Sequence, residues 1–546
     1  MLRRTLNLGI LAHGDAGKTT LTERVLYAAG VIDEVGSVDD GTTQTDSLTL
    51  ERQRGITIKS AVVSFAIDDV TVNLIDTPGH PDFIAEVERA LSVLDGAVLV
   101  ISAVEGVQPQ TRILMRALRR TDVPTLMFVN KIDRRGAGYE RLLPAISERL
   151  TPAIVAMGAA AELGTRAADF TPSDSTDAAF TARLAELLAE RNDSILAAYV
   201  QGEPGVSYRR LREELAEQTR RVLVHPVFAG SALTGAGVDS LMSGIAELLP
   251  AAGRDVDGPA SGRVFKIERG AAGEKIAYVR MFSGAVRTRG RVRFGRNGER
   301  KVTAINVFAD GSAVRRETVS AGQIGKLWGL AEIHVGDAVG ALRAHGEQRQ
   351  FAPPTLETVV IPRHRDDKGA LRVALAQLAE QDPLINVRQE DTRQEISVSL
   401  YGEVQKEVIG ATLAAEFGLD VTFRETTTIC IERPVGTGSA AGPGTEGYKP
   451  VLRRFPGQAR LSPARRACAA TVCCSQSTLC QRLAVFLSPL ALAIGHVPQS
   501  AALQRIDRFN HAGAFSGAIP TMVTRDTGGE VWEVVACGRP ILSHRR

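Results

Sequence analysis

Ala12-His13-Gly14-Asp15-Ala16-Gly17-Lys18-Thr19-Thr20 lies between an apolar run at residues 6–12 and a stretch whose apolar residues recur at helical spacing. A loop that joins a strand to a helix can point successive backbone N–H groups at phosphates, aided by the helix N-terminus. Lys18 would then reach the β- and γ-phosphates of a nucleotide, and the Thr19 hydroxyl would bind Mg²⁺. Because Ala12 stands where the strict pattern has glycine, a helix-capping turn is the alternative.

A second motif, Asp76-Thr77-Pro78-Gly79-His80, follows the apolar run at residues 70–75. An aspartate at the C-terminal end of a strand is well placed to hold Mg²⁺ through a water molecule, and the N–H of Gly79 can bind a γ-phosphate. The same residues also make a good turn, so this motif taken alone is a weak indication.

Two further motifs concern the base of the nucleotide. In Asn130-Lys131-Ile132-Asp133, the carboxylate of Asp133 can accept hydrogen bonds from N1–H and the exocyclic amine of guanine, a donor pair that adenine lacks. Ser231 and Ala232 follow the last predicted strand of this region and can offer backbone N–H groups to guanine O6. The alternative for each motif is a surface loop.

Thr57 belongs to Arg54-Gly55-Ile56-Thr57-Ile58, between the first two motifs, where a mobile switch segment would lie. Its hydroxyl can close onto Mg²⁺. Five such elements in this order and spacing are hard to obtain by chance, and two of only ten lysines, Lys18 and Lys131, fall within them. The sequence therefore predicts a site for GTP and Mg²⁺.

Patterns along the chain predict a multidomain α/β protein. Residues 1–252 alternate strands and helices, as in a doubly wound P-loop domain, with a helical insertion at about 135–220. Residues 263–350 alternate short β-rich runs with glycine turns, which is typical of a β-barrel. Residues 354–434 predict a ferredoxin-like α+β domain from the order strand, helix, strand, strand, helix, strand.

The predicted strands lie at residues 6–12, 61–67, 70–75, 97–102, 125–130, 222–228, 264–268, 275–282, 290–294, 337–341, 357–361, 385–389, 395–400 and 420–423. The two helices of the third region are predicted at residues 368–381 and 402–417. Their apolar faces carry Leu371, Leu375 and Leu378 in the first helix and Val404, Val408 and Ala411 in the second.

The composition of the chain excludes a collagen, a coiled coil and a wholly disordered protein. Hydrophobic residues make up 44% of the chain and charged residues 23%, as in ordinary soluble globular proteins. No apolar run reaches the ~18 residues that a membrane span needs, and the nearest, residues 483–497, contains Ser488 and Pro489. We therefore expect a cytoplasmic enzyme or switch with no membrane contact.

Residues 439–546 differ from the rest of the chain. They carry 13 Lys and Arg against 5 Asp and Glu, whereas residues 1–438 carry 52 against 57, and they hold five of the six cysteines. We interpret this basic tail as the product of a wrong reading frame of GC-rich DNA or of a truncating frameshift. We therefore expect it to be disordered or to have a fold that the sequence does not reveal. A divergent domain is one alternative, and a metal site at Cys473, Cys474 and Cys480 is another, although no paired Cys-x₂-Cys spacing supports zinc.

The motifs Ala-His-x-Asp-Ala-Gly-Lys-Thr, Arg-Gly-Ile-Thr-Ile, Asp-Thr-Pro-Gly-His and Asn-Lys-Ile-Asp together resemble the translational GTPases of the elongation factor G type. Within that group, residues 41–46, 50–55 and 91–96 look most like the tetracycline-resistance ribosomal protection proteins, and residues 382–384 and 402–409 support this. The resemblance runs from residue 1 to about residue 438.

The resemblance implies a monomer that binds the bacterial ribosome with GTP and Mg²⁺, displaces tetracycline, hydrolyses GTP to GDP and phosphate, and leaves. It also implies that His80 is catalytic and positions the attacking water once the ribosome orders the site. The alternative within the family is a general translocation factor. The alternative from another class is a GTP-binding remnant that cannot release the drug.

Gly14 departs from the family pattern, in which Val or Ile is usual at this position. The resemblance assigns that side chain, together with Ile56, to an apolar gate that restrains the catalytic histidine. Gly14 would remove half of the gate, so we expect faster hydrolysis of GTP in the absence of the ribosome.

Overall fold

The computed structural model describes residues 4–36, 43, 51, 56–200, 206–251, 255–270, 272–295, 298–309, 311–341, 350–390 and 395–430, and the backbone of two strands at residues 521–525 and 531–535. Residues 1–430 form one compact unit and residues 431–546 form a second. All of the nucleotide motifs belong to the first unit. Arg54 and Gly55 of the segment that precedes Thr57 lie outside the described residues.

The first domain is built on a seven-stranded sheet. Its elements are β1 (Arg4–Ala12), α1 (Lys18–Ala28), β2 (Ala61–Ile67), β3 (Val70–Asp76), α2 (Ile84–Leu91), β4 (Gly96–Ser102), α3 (Pro109–Arg120), β5 (Thr125–Asn130), α4 (Tyr139–Arg149), β6 (Ile154–Ala156), β7 (Gly158–Ala161), β8 (Asp169–Pro172), α5 (Ala178–Ala189), α6 (Asp193–Val200), α7 (Tyr208–Arg220), β9 (His225–Ala229) and α8 (Val238–Leu248). The strand order is β2-β3-β1-β4-β5-β9-β6, and only β2 runs antiparallel to its neighbour. Every residue of β4 and β5 is buried, because central parallel strands are covered on both faces. This confirms the predicted doubly wound fold.

The predicted helical insertion differs from the structure at residues 154–172. Three short strands lie there among the helices: β6 joins the edge of the main sheet beside β9, and β7 pairs with β8. The sequence of β7, Gly-Ala-Ala-Ala, has the composition of a helix, so pairing with β8 overrides local propensity. β9 begins at His225 rather than at the predicted residue 222, because Val222 has a φ of +58°, which no strand residue adopts.

The second domain consists of two antiparallel sheets around one core. Its strands are β10 (Ser261–Arg269), β11 (Lys275–Ser283), β12 (Ala285–Arg287), β13 (Arg291–Phe294), β14 (Gly298–Lys301), β15 (Ala304–Ala309), β16 (Ser312–Arg316), β17 (Thr318–Ser320), β18 (Ile324–Trp328) and β19 (Ala338–Gly340). Eight of them form a sheet in the order β14-β13-β19-β10-β11-β18-β15-β16, and β12 pairs with β17. Val286 and Val319 of the small sheet enter the same core as the large sheet. The predicted β-barrel class is confirmed, although the strands between residues 298 and 328 had no individual prediction.

The third domain has the predicted ferredoxin-like order. Its elements are β20 (Leu356–Pro362), α9 (Lys368–Gln381), β21 (Arg388–Glu390), β22 (Glu395–Leu400), α10 (Glu403–Phe417), β23 (Val421–Phe423) and the short β24 (Thr427–Thr428). The antiparallel sheet has the order β21-β22-β20-β23, and β24 also pairs with β20. The predicted second strand at 385–389 begins later, because Pro383–Ile385 forms a 3₁₀ turn and Asn386 is left-handed.

The apolar face predicted for the second helix of this domain proves to have a different neighbour. Leu371, Leu375 and Leu378 of α9 lie in the core of the third domain, as expected. Val408 of α10 instead packs with Ile58 and Phe83 of the first domain, whereas Ile409 and Leu413 of α10 enter the third domain's own core.

A buried polar network joins the first two domains. The guanidinium of Arg280 in β11, which is 2% exposed, donates from Nη2 to both carboxylate oxygens of Asp95, at 2.8 and 3.0 Å. Asp95 also accepts hydrogen bonds from the backbone N–H and the Nδ2 of Asn7, at 2.9 and 2.6 Å. Nδ2 of Asn7 reaches the carbonyl of Gly322 in the second domain as well, at 3.1 Å. Because the guanidinium is removed from water, Asp95 supplies the counter-charge that makes its burial tolerable.

The predicted frameshifted or disordered tail, residues 439–546, lies outside the described residues except for two strands. β25 (Thr521–Arg525) and β26 (Val531–Val535) pair as an antiparallel hairpin. The shifted reading frame of the tail therefore stays a prediction, and the alternative of a metal site at its cysteines stays open. Within the described part of the chain, every helix is too short or too polar to cross a membrane.

We predict that Asp95→Ala lowers the free energy of unfolding by about 3–5 kcal/mol, because it leaves the buried guanidinium of Arg280 without its counter-charge. Urea denaturation followed by circular dichroism measures the change. The control is Asp69→Ala, which breaks the exposed ion pair with Arg4 and should leave the midpoint where it is. Equal midpoints for the two variants would show that the network does not stabilise the pair of domains.

Candidate nucleotide-binding site

The loops that carry the predicted motifs meet at one edge of the first sheet. They follow the carboxyl ends of β1, β3, β5 and β9, the edge at which open α/β sheets bind ligands. Side-chain contacts join all four loops, as the distances below show. Motifs that are far apart in sequence thus form one site.

Lys18 and Asp76 form a buried ion pair at the centre of this edge. Nζ of Lys18 lies 2.6 Å from Oδ1 of Asp76, and the two side chains are 6% and 1% exposed. Gly17 is the N-cap of α1, with a φ of +85°, and no side chain caps the first N–H groups of that helix. Uncapped N–H groups beside a lysine favour a bound phosphate.

Thr19 and Thr57 place two hydroxyl groups beside this ion pair. Their Oγ1 atoms are 3.3 Å apart, and Nζ of Lys18 lies 3.4 Å from Oγ1 of Thr57. Oδ1 of Asp76 accepts a further hydrogen bond from Oγ1 of Thr22, at 3.2 Å. Mg²⁺ takes oxygen ligands and is commonly held by few protein groups with phosphates completing its shell, so this donor set fits the ion. Among the described residues, no group of three His, Cys, Asp or Glu side chains is placed to hold a metal.

Asn130 ties the phosphate loop to the loop after β9. Its Nδ2 donates to the carbonyl of Ala16 at 2.8 Å, and its Oδ1 accepts from the backbone N–H of Ala232 at 2.9 Å. A Cβ added to Gly17 would collide with this amide, so glycine is needed there for close approach as well as for its positive φ. Asn130 therefore holds the phosphate loop and the predicted base-contacting loop together.

Asp133 lies at the same edge, with 5% of its side chain exposed. Lys131 has a φ of +68°, uncommon for a residue with a side chain, and its Nζ pairs with Glu105 at 3.1 Å. This turn buries Ile132 completely and leaves Asp133 nearly buried. Nε of Arg134 lies 3.8 Å from Oδ2 of the Asp133 carboxylate.

The backbone N–H groups of Ser231 and Ala232, predicted to face guanine O6, both have partners within the protein. The N–H of Ser231 donates to the carbonyl of Ala236 at 2.9 Å, and that of Ala232 donates to Asn130. The turn of their own loop thus engages the N–H of Ser231, and guanine O6 would have to share the N–H of Ala232 with Asn130. Arg24, which the sequence did not single out, holds this turn by donating to the carbonyl of Ala232 at 3.0 Å.

The Asp76–His80 segment lies against the phosphate loop. Oγ1 of Thr77 donates to the carbonyl of Ile10 at 2.9 Å, and Pro78 is buried. A Cβ on Gly79 would stand 3.6 Å from the carbonyl oxygens of Ala12 and His13. The backbone of Gly79 therefore lies against the phosphate loop.

His80 is the N-cap of a short 3₁₀ turn, Pro81–Phe83, and 31% of its side chain is exposed. Its Nδ1 accepts a hydrogen bond from the backbone N–H of Asp82 at 3.2 Å and lies 3.6 Å from Oδ1 of Asp82. A neutral imidazole whose Nδ1 accepts carries its proton on Nε2. The Nε2 edge of the ring is thus the part that can meet a substrate.

His13 is a structural member of the phosphate loop in this geometry. It is 6% exposed, its Nδ1 lies 3.0 Å from Oγ1 of Thr111, and its Nε2 lies 3.7 Å from Glu105. Burial lowers the pKa of His13 and Glu105 opposes the shift, so the ring is neutral near pH 7. Gly14 and Asp15 are exposed, and Thr20 is half-buried in the first turn of α1.

Gly14 leaves its half of the family's apolar gate without a side chain, as expected from the sequence. A Cβ on Gly14 would meet no atom within 4 Å. Ile56 instead packs against a cluster formed by Ile58, Phe83 and Val408, the last of which belongs to the third domain. The apolar contacts beside His80 are therefore shared with another domain.

Three carboxylates that the sequence did not reveal hold the segments around Thr57 and His80. Glu51 accepts hydrogen bonds from the N–H groups of Ile58 and Lys59, both at 2.9 Å. Asp382 accepts from Nη1 of Arg89 at 2.9 Å, and Asp82 contacts the start of α10. Asp82 carries a weak local signal as an acid at a helix start, but its partners are in the third domain, which no local pattern can show.

Comparison with known proteins gives the same picture as the geometry. The family model described as "Elongation factor Tu GTP binding domain" matches residues 3–251, and "Elongation Factor G, domain III" matches residues 351–425. A solved structure of a protein from Thermus thermophilus superposes with a TM-score of 0.68 at 25% identity, over 78% of this chain and 67% of that one.

The curated relatives include three resistance proteins. The oxytetracycline resistance protein of Streptomyces rimosus is 56% identical, over 80% of this chain and 67% of its own length. Tetracycline resistance proteins TetM of Streptomyces lividans and TetP of Clostridium perfringens are 47% and 40% identical, over 80% of this chain and 68% and 67% of their own lengths. The chain is thus 40–56% identical to these relatives over about two thirds of their length, and it contains a matching GTP-binding domain. It belongs to the tetracycline-resistance ribosomal protection proteins, a branch of the translational GTPases.

Proposed function

We propose that this chain is a ribosome-dependent GTPase that protects the bacterial ribosome by displacing tetracycline. The observation that carries the enzymatic part is the buried pair of Lys18 and Asp76, with the hydroxyls of Thr19 and Thr57 beside it. The proposal that the displaced drug is tetracycline rests on the relatives, which are named for resistance to tetracyclines. No feature of the described residues favours a general translocation factor over this function. With a ribosomal partner the chain would act in the cytoplasm, as a monomer.

In the proposed binding step, Lys18 leaves Asp76 for the β- and γ-phosphates, and the backbone N–H groups at the start of α1 receive phosphate oxygens. Asp133 accepts the N1–H and the amine of guanine. The remaining residues that we assign to the nucleotide lie along the same loops: Ala12, His13, Gly14, Asp15, Ala16, Gly17, Thr20, Thr77, Pro78, Gly79, Asn130, Lys131, Ile132, Ser231 and Ala232.

In the proposed hydrolytic step, the chain positions the attacking water and stabilises the negative charge of the phosphates. Thr19 and Thr57 would hold Mg²⁺ directly and Asp76 through water, and the ion neutralises charge between the phosphates when it is bound. The Nε2 side of His80 would orient the attacking water, since Nδ1 is held by the N–H of Asp82. Lys18 would stabilise the charge that develops on the transferred group.

We further propose domain limits at residues 1–252, 263–350 and 354–434, with residues 439–546 read from a shifted frame. The limits are supported by separate apolar cores in the three regions. The frame is supported by the change in charge and cysteine content near residue 439 and by alignments that cover only 80% of the chain.

We predict that GTP binds ~10⁴-fold more tightly than ATP, because adenine would leave the desolvated carboxylate of Asp133 without donors. Competition against a fluorescent guanine nucleotide measures the ratio. Asp133→Asn should weaken GTP and favour a xanthine nucleotide, whereas Asp169→Asn, at an exposed position of β8, should leave the base preference unchanged. Similar affinities of the wild type for GTP and ATP would defeat the assignment.

We predict that His80→Ala leaves GTP affinity intact and abolishes stimulation of hydrolysis by ribosomes, because His80 acts only in the transition state. The loss should appear in kcat, by about 10²-fold or more. His334→Ala, at an exposed histidine of the second domain, is the control and should keep the wild-type rate. Wild-type turnover by His80→Ala on ribosomes would remove His80 from the mechanism.

We predict that this 546-residue chain hydrolyses GTP on ribosomes but does not release tetracycline, whereas a version with the frame restored near codon 438 does both. Release of labelled tetracycline from purified ribosomes measures the function directly, and resequencing the DNA tests the frame. Equal release by both versions would show that residues 439–546 form a functional domain. Absence of release by the restored version would leave a translocation factor or a GTP-binding remnant.

A further inference from the structure

Asp82 connects the segment that carries His80 to the third domain. Its side chain is nearly buried, and its Oδ2 accepts hydrogen bonds from the backbone N–H groups of Val404 and Gln405, at 3.0 and 3.2 Å. These are donors in the first turn of α10, which has no intrahelical partners for them. Asp82 therefore caps a helix of another domain.

The start of α10 is built to receive this carboxylate. Its N-cap is Gly402, in an extended conformation and with no side chain to cap the helix. A Cβ added at Gly402 would collide with both carboxylate oxygens of Asp82. The residue type that would ordinarily cap the helix is absent, and the space that its side chain would fill is occupied by Asp82.

The same side chain faces His80. While Oδ2 of Asp82 binds the helix, Oδ1 lies 3.6 Å from Nδ1 of His80, and the backbone N–H of Asp82 donates to that ring atom. If α10 shifts and the Oδ2 atom of Asp82 follows it, Asp82 moves, and the His80 ring that Asp82 contacts moves with it. The helix dipole, positive at this end, adds to the attraction for the carboxylate.

Independent contacts keep the two domains together if Asp82 is altered. Arg89 donates to Asp382, whose other oxygen lies 3.4 Å from Nε2 of Gln405. Phe83, next to Asp82, packs with Val408 of α10. A substitution at Asp82 or Gly402 can thus loosen the coupling without separating the domains.

We propose that Asp82 is a positioning residue, which fixes the His80 ring relative to the first turn of α10, so that the placement of the third domain sets the placement of the catalytic histidine. This rests on the proposed function only for the role of His80. Force on the third domain from a bound partner would reach His80 through this carboxylate.

The sharpest test changes the third domain and observes His80. Gly402→Ala pushes the Asp82 carboxylate from outside the first domain. Gly369→Ala is the matched control, because it adds the same methyl group near the start of α9, where no atom lies within 4 Å. The full chain is labelled with ¹³C at histidine Cε1, and the resonance of His80 is assigned by its absence in His80→Ala. We expect Gly402→Ala to shift this resonance and Gly369→Ala to leave it in place.

The complementary test changes Asp82. Asp82→Ala should shift the His80 resonance and speed amide exchange in the first turn of α10 by about fivefold, through loss of the cap. Asp82→Asn should restore both, since an amide oxygen can still accept the two N–H groups. Glu403→Ala, at an acid of the same turn that pairs with Lys406, should change neither.

Hydrolysis on ribosomes then connects the position of His80 to the rate. Gly402→Ala and Asp82→Ala should lower kcat by about tenfold or more with little change in the KM for GTP, because small misplacements of a catalytic group are costly in rate. An unmoved His80 resonance in both variants would overturn the proposal, whatever the rate. If the wild type shows no stimulation by ribosomes, the proposed function fails, while the resonance still decides the coupling. Should Gly402→Ala fail to fold, the comparison of Asp82→Ala with Asp82→Asn decides alone.

Discussion

The ion pair of Lys18 and Asp76 is the constraint around which the first domain is organised. Both charges are removed from water, and such burial is tolerated only with a close partner and further hydrogen bonds, here from Thr22 and toward Thr57. The pair requires the ends of β1 and β3 to be adjacent, which the parallel register of those strands provides. It also leaves a lysine that an incoming phosphate can take over at little desolvation cost, because the lysine is already dehydrated. A structural interaction and a binding site are thus the same feature.

The second and third domains both reach the segments that border this pair. Nζ of Lys266 in the second domain donates to the carbonyl of Ser60 at 2.6 Å, close after Thr57. Lys59 contacts Gln381 of the third domain, and Arg89 contacts Asp382. Nearby charges outweigh burial in raising the pKa of Arg89, so this cation stays charged. The segments around Thr57 and His80 are therefore positioned by three domains.

The sequence predicted most of the elements that local physics determines. β1, β3 and β5 have apolar runs of strand length, and their polar C-terminal residues form motifs whose chemistry is explicit, so the nucleotide edge could be assembled from sequence. The strand β7 could not, since alanines pair there only because β8 is adjacent. The face of α10 with Val408 was also beyond prediction, because an apolar stripe does not reveal whether it meets its own sheet or another domain. Asp82 and Arg280 depend on partners that are distant in sequence. The engagement of the Ser231 N–H depends on the exact closure of its loop, and that of the Ala232 N–H depends on Asn130, which is distant in sequence.

A structure of the chain with Mg²⁺ and a non-hydrolysable GTP analogue tests the central claim most directly. Lys18 should be found on the β- and γ-phosphates and no longer on Asp76, with Thr19 and Thr57 on one ion and Asp133 against the guanine base. A nucleotide bound elsewhere, or a Lys18 still paired with Asp76 beside bound phosphates, would contradict the claim that this buried pair is the phosphate site.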